Sequence, residues 1–309
     1  MLFSVIVAHY ENARYLPDLV RSMQDQTHTD WELVIVDDHS TVDPYSWLEP
    51  FMDDKRITYA RHGRNLGAAA AFRTAADLSK GGLIGMLGAD DALVPQALQR
   101  MVRAHDEHPD ASLVNSACFR CDEALRILEV YRHYRPLRAG ESLIRDICIG
   151  SFATFKREAY LKTEGFDPYF RRALDHDIYL KLDEVGNLVF VEEPLYLYRT
   201  NPIGISQFGN GILAAQYSLM ARYRAYRRRI GTAKENLTTR EARAILQTWY
   251  LRELQRQAAG GNVAEVRKLI RRALREAPGL CLERAFWGHV ARSLLRRIAL
   301  RKPNPPICS

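Results

Sequence analysis

The chain has 309 residues, of which 47% are hydrophobic, and a formal net charge of +7 at pH 7. This length and composition predict a globular domain of about 200 residues with an additional segment. The sequence has no apolar run of about 18 residues, so no membrane-spanning helix is predicted. The first residues lack the basic region and cleavage site of a signal peptide, so we expect a cytoplasmic location.

Charge is distributed unevenly along the chain. Residues 1–210 contain 23 Lys and Arg against 31 Asp and Glu, whereas residues 211–309 contain 21 against 6. The net charges of the two regions are therefore −8 and +15. We accordingly predict a catalytic domain at 1–210 and a basic helical region at 211–309, with different roles.

Strand and helix patterns alternate in the N-terminal part of the chain. Apolar runs predict buried strands at residues 3–8, 31–36, 57–60 and 83–87. Helical periodicity predicts helices at residues 15–26 and 65–79, and Pro95 marks the start of another. Strands that alternate with helices predict an α/β fold, with a mostly parallel sheet and helices on both faces.

Polar side chains follow three of these strands at their carboxyl ends: His9 and Tyr10, Asp37 and Asp38, and Asp90 and Asp91. A helix N-cap followed by a first-turn acid would explain an isolated pair such as Asp90 and Asp91. A divalent cation that holds a phosphate would explain the same pair as oxygen ligands. Because ligands of parallel α/β sheets bind at the carboxyl ends of the strands, the three clusters together favour a binding site.

The chain resembles the family 2 glycosyltransferases of the GT-A fold in four segments that keep the family's order: SVIVAHYEN, ELVIVDDHS, NLGAAAAFRTA and GADDALVP. The resemblance extends over about residues 3–206. It implies a Rossmann-like sheet of the GT-A type and an inverting transfer from a nucleotide-sugar donor. It also implies a divalent metal, Mn²⁺ or Mg²⁺, a nucleotide-sugar-binding half at 1–100 and an acceptor half at 101–210.

The resemblance implies roles for particular residues. Asp38 would accept a hydrogen bond from the nucleobase, and Asp91 would bind the metal. Asp90 would contact the ribose or the metal. The complete set implied in donor binding is Ala8, Tyr10, Glu11, Asp37, Asp38, Arg64, Asn65, Asp90 and Arg199, with Asp91 and Asp90 as metal ligands. A purely structural role for Arg199 is an open alternative.

Asp175 is the implied catalytic base. The segment ALDHDIYLKL resembles the family block EDxDLWLRL, and Asp175 stands at the second acid of its ED pair. A carboxylate there can take the proton of an acceptor hydroxyl as it attacks the anomeric carbon. The alternative is an acid in the first turn of a helix. His176 either contacts substrate or lies at the surface.

Several positions depart from the family pattern, among them Ala8 in place of the usual Pro and Ala71-Phe72-Arg73 in place of ARN. Three further departures weaken the motifs themselves. Gly88 stands where many members have an acid, Leu174 replaces the first Glu of the ED pair, and Asn201 replaces a His. These departures keep open a catalytically weak, nucleotide-binding relative that serves as a membrane-associated scaffold. A nucleotidyltransferase is a second alternative, although the loop after the first strand lacks the Gly and Lys residues expected of one.

The C-terminal region is predicted to be helical. Thr238 and Glu241 form a capping box for a helix to about Ala258, and helices at 263–276 and 280–302 follow. The basic residues and Trp287 of the last helix suit an anionic membrane surface, at which lipid-linked acceptors are found. The family resemblance implies a glycan or lipid-linked acceptor in bacterial surface polysaccharide synthesis, and the basic helix favours peripheral association at the inner membrane face. The alternative is packing on the catalytic domain, and no nucleic-acid partner is expected.

Cys118 and Cys121 form an isolated CxxC motif without a second pair or matching histidines. Such an isolated pair is more typical of structural thiols than of a zinc or redox site.

Overall fold

The structure, a computed structural model, describes residues 1–150, 152–200, 211–234, 237–260, 262–277 and 286–288. Its strands are β1 (Phe3–His9), β2 (Trp31–Asp37), β3 (Ile57–Arg61), β4 (Leu83–Gly88), β5 (Ala92–Leu93), β6 (Ala111–Cys121), β7 (Ile127–Tyr131), β8 (Ala153–Lys156) and β9 (Asn187–Arg199). Its helices are α1 (Leu16–Gln24), α2 (Tyr45–Leu48), α3 (Ala68–Leu78), α4 (Ala97–Glu107), α5 (Arg157–Leu161), α6 (Leu174–Val185), α7 (Gly211–Arg229), α8 (Thr239–Ala259) and α9 (Val263–Glu276).

All described strands belong to one sheet, in the order β3-β2-β1-β4-β8-β6-β9-β5, with β7 paired to β6. The strands β3, β2, β1 and β4 are mutually parallel, as predicted. In the second half the pairing is mixed, since β8 runs antiparallel to β4 and β6 while β6 and β9 are parallel. The apolar runs of the N-terminal strands therefore lie in a sheet that is covered on both faces.

Two hydrophobic clusters cover the two faces of the sheet. Along β1, Val5 and Val7 belong to one cluster and Ile6 to the other, as the two-residue period of a strand requires. The cluster around Val5 and Val7 includes residues of α1 and α4. The cluster around Ile6 includes alanines of α3 and also Trp249 and Tyr250 of α8. The core is therefore continuous from the sheet into the C-terminal helices.

The helices α7, α8 and α9 lie in the region predicted to be helical, and α8 begins with the predicted capping box. The Thr238 hydroxyl accepts from the Glu241 amide at 3.2 Å, and the Glu241 carboxylate accepts from the Thr238 amide at 2.7 Å. None of the helices in the described part of the chain has the length and hydropathy that crossing a bilayer requires. The helix predicted at 280–302 lies outside the described residues, apart from residues 286–288.

Candidate active site

The carboxyl ends of β1, β2 and β4 lie side by side at one edge of the sheet. The register pairs His9 with Asp37 and Ala8 with Gly88. The loops that follow these strands therefore begin at adjacent positions. The structure thus brings the three polar clusters of the sequence together, with Ala8 between the other two strand ends.

Asp37 is fully buried, and its carboxylate is bound by its neighbours. Oδ1 lies 2.8 Å from His9 Nδ1, and the Ser40 amide donates to Oδ2 at 3.0 Å. Arg61 Nε lies 3.1 Å from the same Oδ2. Burial lowers the pKa of His9, against the opposing effect of its bond to Asp37. Asp37 therefore connects the turn after β2 to β1 and β3, and the structure does not expose it to a nucleoside.

The loop after β1 forms an exposed rim with a strained backbone. Tyr10 is 49% exposed. Glu11 and Asn12 have φ angles of 58° and 59°, in the left-handed region. The Glu11 carboxylate accepts from the amide and the hydroxyl of Thr41, both at 2.8 Å. Left-handed backbone at residues other than glycine is costly and concentrates at functional sites, which supports this loop as a wall of the nucleoside pocket.

Asp38 determines the conformation of the loop that precedes α3. The amides of Leu66 and Gly67 donate to its two carboxylate oxygens at 2.8 and 2.6 Å. His62 Nδ1 lies 2.8 Å from Oδ1, and the Asn65 side chain donates to the Asp38 carbonyl at 3.2 Å. A carboxylate oxygen can accept two hydrogen bonds, so Oδ2 keeps a free acceptor position. Asp38 is itself only 2% exposed, and its contact with a nucleobase stays a prediction.

Two arginines lie at the N-terminus of α3. Arg64 is exposed, and no hydrogen bond or ion pair connects its side chain to the described residues. Arg171 covers Gly67 so closely that a Cβ at Gly67 would collide with its guanidinium. The φ of 97° at Gly67 also favours glycine. The sequence pattern points to Arg64 but not to Arg171, because only tertiary packing brings Arg171 to this loop.

The two acids after β4 have different environments. Asp91 is 4% exposed. The Tyr196 hydroxyl donates to its Oδ2 at 2.5 Å, and the Arg199 amide donates to its Oδ1 at 2.7 Å. Burial, followed by the negative charge of Asp90, raises the pKa of Asp91 well above its usual range. Asp90 is partly exposed. Asp90 is therefore the more accessible of the two acids, and the predicted metal contacts of Asp90 and Asp91 stay predictions.

Gly88 has no room for the acid that many family members carry there. A Cβ at Gly88 would lie 2.5 Å from Asp91 Oδ2 and 3.0 Å from the Tyr196 hydroxyl. The Gly88 amide also donates to that hydroxyl at 3.0 Å. Tyr196 and Asp91 thus fill the space beside the end of β4. The glycine is apparent in the sequence, whereas the role of Tyr196 is not, because Tyr196 reaches this position from β9.

Arg199 is buried, at 2% exposure, and its guanidinium binds protein acceptors. Nε donates to the Asp90 carbonyl at 2.5 Å, Nη1 donates to the Glu123 carbonyl, and Nη2 donates to Asp18 at 2.9 Å. The guanidinium also lies 4.4 Å from the ring centroid of Tyr15. These contacts support the structural alternative for Arg199 over the predicted contact with a diphosphate.

Asp175 lies in the first turn of α6 and is partly exposed. None of the described residues forms a hydrogen bond or ion pair with its carboxylate. Ala173, two residues earlier, has a φ of 50° in the left-handed region. By contrast, Asp177 is buried and lies 2.7 Å from Lys181 Nζ, and His176 Nδ1 lies 2.9 Å from the Ser218 hydroxyl. Asp175 is therefore the acid of this helix start that is accessible to an acceptor.

Few of the described residues at this site could bind a metal ion. The described residues contain no cluster of three or more His, Cys, Asp or Glu that could hold a metal ion. Magnesium is commonly held by only one or two carboxylates together with substrate phosphates. An accessible Asp90 fits this mode of binding.

Burial raises the pKa of Cys118 to about 12 and that of Cys121 to about 11, as expected for inert structural thiols.

A parallel half with acids at its strand ends, followed by a mixed half with an accessible acid at a helix start, is the architecture of a GT-A glycosyltransferase. Residues 4–163 match the model of the family described as glycosyl transferase family 2. The match covers more than half of the chain, and the chain belongs to this family.

Relatives of this chain include polysaccharide synthases. A chondroitin synthase of Escherichia coli is 30% identical over 196 residues, which are 63% of this chain and 28% of that protein. An uncharacterized glycosyltransferase of Methanocaldococcus jannaschii is 26% identical over 64% of this chain and 70% of its own length. The chain therefore spans little more than a quarter of the chondroitin synthase.

Solved structures confirm the fold along nearly the whole chain. S. aureus TarS in complex with UDP-GlcNAc aligns with 97% of this chain and 84% of its own, at 16% identity and a TM-score of 0.61. A mannosyltransferase of Pyrobaculum calidifontis, in complex with GDP-Man and Mn²⁺, aligns with 97% of this chain and 88% of its own, at 15% identity and a TM-score of 0.57. The predicted GT-A-type α/β fold with C-terminal helices is thereby confirmed.

Proposed function

We propose that this chain transfers a sugar, with inversion, from a nucleoside-diphosphate sugar to a hydroxyl of a glycan or lipid-linked acceptor. One observation carries the proposal. Asp175 is an accessible carboxylate without a partner among the described residues. The segment that precedes it contacts the donor half, because Arg171, four residues earlier, lies over Gly67.

The donor would bind at the shared edge of β1, β2 and β4. Tyr10 and Glu11 would form one wall, and the loop held by Asp38 would form the other. Arg64 is exposed at the end of this loop and would contact the base or a phosphate. The complexes of TarS with UDP-GlcNAc and of the mannosyltransferase with GDP-Man support a nucleotide-sugar donor.

Asp90 would hold the divalent metal ion, Mn²⁺ or Mg²⁺, together with the donor diphosphate. A metal ion in this position neutralises negative charge on the leaving diphosphate. Asp91 would contact the ion less directly than Asp90, because it is buried and each of its oxygens already accepts one hydrogen bond, from Tyr196 or from the Arg199 amide. Its role would be to fix the turn that presents Asp90. The Mn²⁺ in the mannosyltransferase complex supports a metal at this kind of site.

Asp175 would act as the general base. Its carboxylate takes the proton of the acceptor hydroxyl while that oxygen forms a bond to the anomeric carbon. The bond from the anomeric carbon to the diphosphate breaks on the opposite side, so the configuration inverts. General-base catalysis typically contributes about 10²–10⁴-fold to the rate, which sets the expected loss on replacement of Asp175.

The acceptor would belong to a surface polysaccharide pathway, as the names of the chondroitin synthase and of an O-antigen biosynthesis protein of Myxococcus xanthus suggest. The basic helices would keep the enzyme near an anionic membrane. Arg267, Arg271 and Arg275 are exposed and recur every fourth residue along α9, so they share one face. Basic residues near such a surface contribute about 1 kcal/mol each.

The first experiment measures donor hydrolysis with UDP-, GDP-, dTDP- and CDP-sugars, in Mn²⁺, in Mg²⁺ and in EDTA. We expect metal-dependent release of one nucleoside diphosphate, lost in Asp90→Asn. Asp175→Asn should bind that nucleotide normally but lose transfer by about 10²–10⁴-fold. Conversion of an NDP-sugar and added pyrophosphate into a nucleoside triphosphate and a sugar 1-phosphate would indicate a nucleotidyltransferase instead. Nucleotide binding without hydrolysis or transfer, in the wild type with cell-extracted glycans as acceptors, would indicate the scaffold.

A second experiment tests the membrane association. The wild-type chain should sediment with vesicles containing phosphatidylglycerol and should be released by salt, because the attraction is electrostatic. A variant with Arg267, Arg271 and Arg275 changed to Gln should bind less. Arg103→Gln on α4 is the matched control, since this arginine is also exposed. Equal sedimentation of all three proteins would contradict the proposed role of α9.

A further inference from the structure

Four aromatic side chains form a cluster in the acceptor half: Tyr131, His133, Tyr134 and Tyr198. The ring centroids of Tyr131 and Tyr134 are 5.2 Å apart, and His133 lies 6.0 Å from each of them. Tyr198 stacks on Tyr131 at 6.5 Å. His133 is exposed, and the three tyrosines are partly exposed. The donor and metal assignments above use none of these residues, which we call the aromatic cluster.

The strand register connects the aromatic cluster to the acids after β4. Cys118 of β6 pairs with Tyr131 of β7 on one side and with Tyr196 of β9 on the other. Neighbouring strands lie about 4.8 Å apart, so Tyr131 and Tyr196 are separated by two strand spacings. Tyr196 donates to Asp91 beside Asp90. The cluster therefore lies on the same part of the sheet as the proposed metal site.

A second set of contacts connects the aromatic cluster to Asp175. The ring of Tyr134 lies against Gly150, where a Cβ would collide with it. The Gly150 carbonyl accepts from the Tyr179 hydroxyl at 3.3 Å. Tyr179 is one helical turn after Asp175, on the same face of α6. Burial raises the pKa of Tyr179, and the charges of Asp175 and Tyr134 raise it further, which agrees with their closeness.

We propose that the aromatic cluster is the subsite that binds a sugar ring of the acceptor. One face of a pyranose carries mainly C–H groups, which are polarised positively and pack against the negative face of an aromatic ring. Binding sites for small polar molecules combine such apolar surfaces with a few polar groups. Arg132 is exposed beside His133 and has no partner among the described residues, so it can bind a carboxylate or hydroxyl of the saccharide.

The position of the cluster suits an acceptor and not the donor. The donor half lies across the sheet at β1 to β3, whereas the cluster belongs to β7, β9 and the segment after β7. A sugar ring stacked there would place one of its hydroxyl groups near Asp175, the proposed base that removes the proton of the acceptor hydroxyl. The competing explanation is that the rings only form the core of the loop after β7, as the burial of part of Tyr131 and Tyr134 against the sheet allows.

The test uses a double variant, Tyr131→Leu with His133→Ala. Leucine keeps apolar volume at Tyr131 without an aromatic face, and His133 is exposed, so neither change should unfold the loop. Tyr134 is left intact because it packs on Gly150. Trp47→Leu is the matched control, since Trp47 is an exposed aromatic residue, at 46%, outside the cluster. The full chain with UDP and Mn²⁺ is applied to a glycan array that carries neutral and acidic oligosaccharides.

We expect the wild type and Trp47→Leu to bind a common set of saccharides, and the double variant to bind them about 10- to 100-fold more weakly. Its donor hydrolysis without acceptor and its Tm should equal those of the wild type. Retained glycan affinity in the double variant would overturn the proposal, as would a wild type that binds no saccharide. A parallel fall of Tm and hydrolysis would show that the cluster is only a loop core.

The subsite rests on the proposed glycosyl transfer, and the two can fail separately. Normal donor hydrolysis with unchanged acceptor binding in the double variant would refute the subsite alone. Absence of donor hydrolysis and of nucleotide binding in the wild type would refute the proposed function.

Discussion

Replacing Asp91 or Asp90 by Asn should have different effects. Asp91→Asn should lower stability, whereas Asp90→Asn should lower the metal-dependent activity. Asp91 accepts from the Tyr196 hydroxyl and the Arg199 amide in a buried position. In Asp91→Asn, the side-chain carbonyl can accept from only one of these donors, and the amide group faces the other. The Tyr196 hydroxyl already accepts from the Gly88 amide, so its own proton would lose its acceptor.

The expected loss of stability follows from that single unpaired donor. A buried polar group without a partner costs about 1–3 kcal/mol. In proteins of about 150–250 residues each kcal/mol shifts Tm by about 2–4 °C, so Asp91→Asn should lower Tm by about 2–12 °C. Asp90 is partly exposed, and surface substitutions usually change stability by about 0.5 kcal/mol or less. Asp90→Asn should therefore lower Tm less than Asp91→Asn.

Two measurements check this separation. Thermal unfolding followed by circular dichroism gives Tm, and titration calorimetry gives the affinity for UDP or GDP with and without Mn²⁺. We expect Asp90→Asn to lose the gain in affinity that Mn²⁺ provides, and Asp91→Asn to keep most of it at a temperature well below its Tm. The reverse result, with loss of the metal effect in Asp91→Asn and none in Asp90→Asn, would refute our assignment and restore Asp91 as the ligand.

Three further predictions concern stability. Arg199→Lys should lower Tm markedly, because an ammonium cannot replace bonds to Asp18 and two carbonyls at once; an unchanged Tm would contradict the structural role. Burial lowers the pKa of His105 to about 4. Between about pH 6.5 and pH 4 the unfolded chain therefore binds a proton at His105 that the folded chain does not bind. The free energy of unfolding should fall by about 3 kcal/mol as the pH drops through this range. Denaturant titration should find this slope reduced in His105→Gln. Thr238→Ala should cost about 1 kcal/mol in the same titration by removing the cap of α8, whereas Thr248→Ala, within that helix, should cost less.

The donor half could be predicted from the sequence because its signals are local. An apolar run of β-branched residues is sufficient to identify β1, and the structure extends the predicted strand by only one residue, to His9. The capping box of Thr238 and Glu241 was identified for the same reason, since its two partners are three residues apart. Polar residues directly after parallel neighbouring strands lie at one edge of the sheet, so the meeting of the three polar clusters was also predictable.

The roles of the paired acids could not be predicted, because they depend on partners distant in sequence. Tyr196 and Arg199 reach Asp91 from β9, more than a hundred residues along the chain. Nothing within the segment GADDALVP distinguishes a buried acid from an accessible one. The same holds for Arg171 and for the aromatic cluster, whose members come together only when β6 pairs with both β7 and β9.

The uneven charge of the chain has a partial explanation within the fold. Cations of the C-terminal region pair with acids in and just before α6: Arg224 with Asp167, Arg228 with Glu184, Arg229 with Asp183 and Glu184, and Lys234 with Asp183. Arg229 is buried in this contact. Part of the acidic excess before residue 210 and part of the basic excess after it therefore pair with each other across one interface. Packing on the catalytic domain and binding to a membrane are then compatible roles, since α7 uses its arginines against α6 while those of α9 stay exposed.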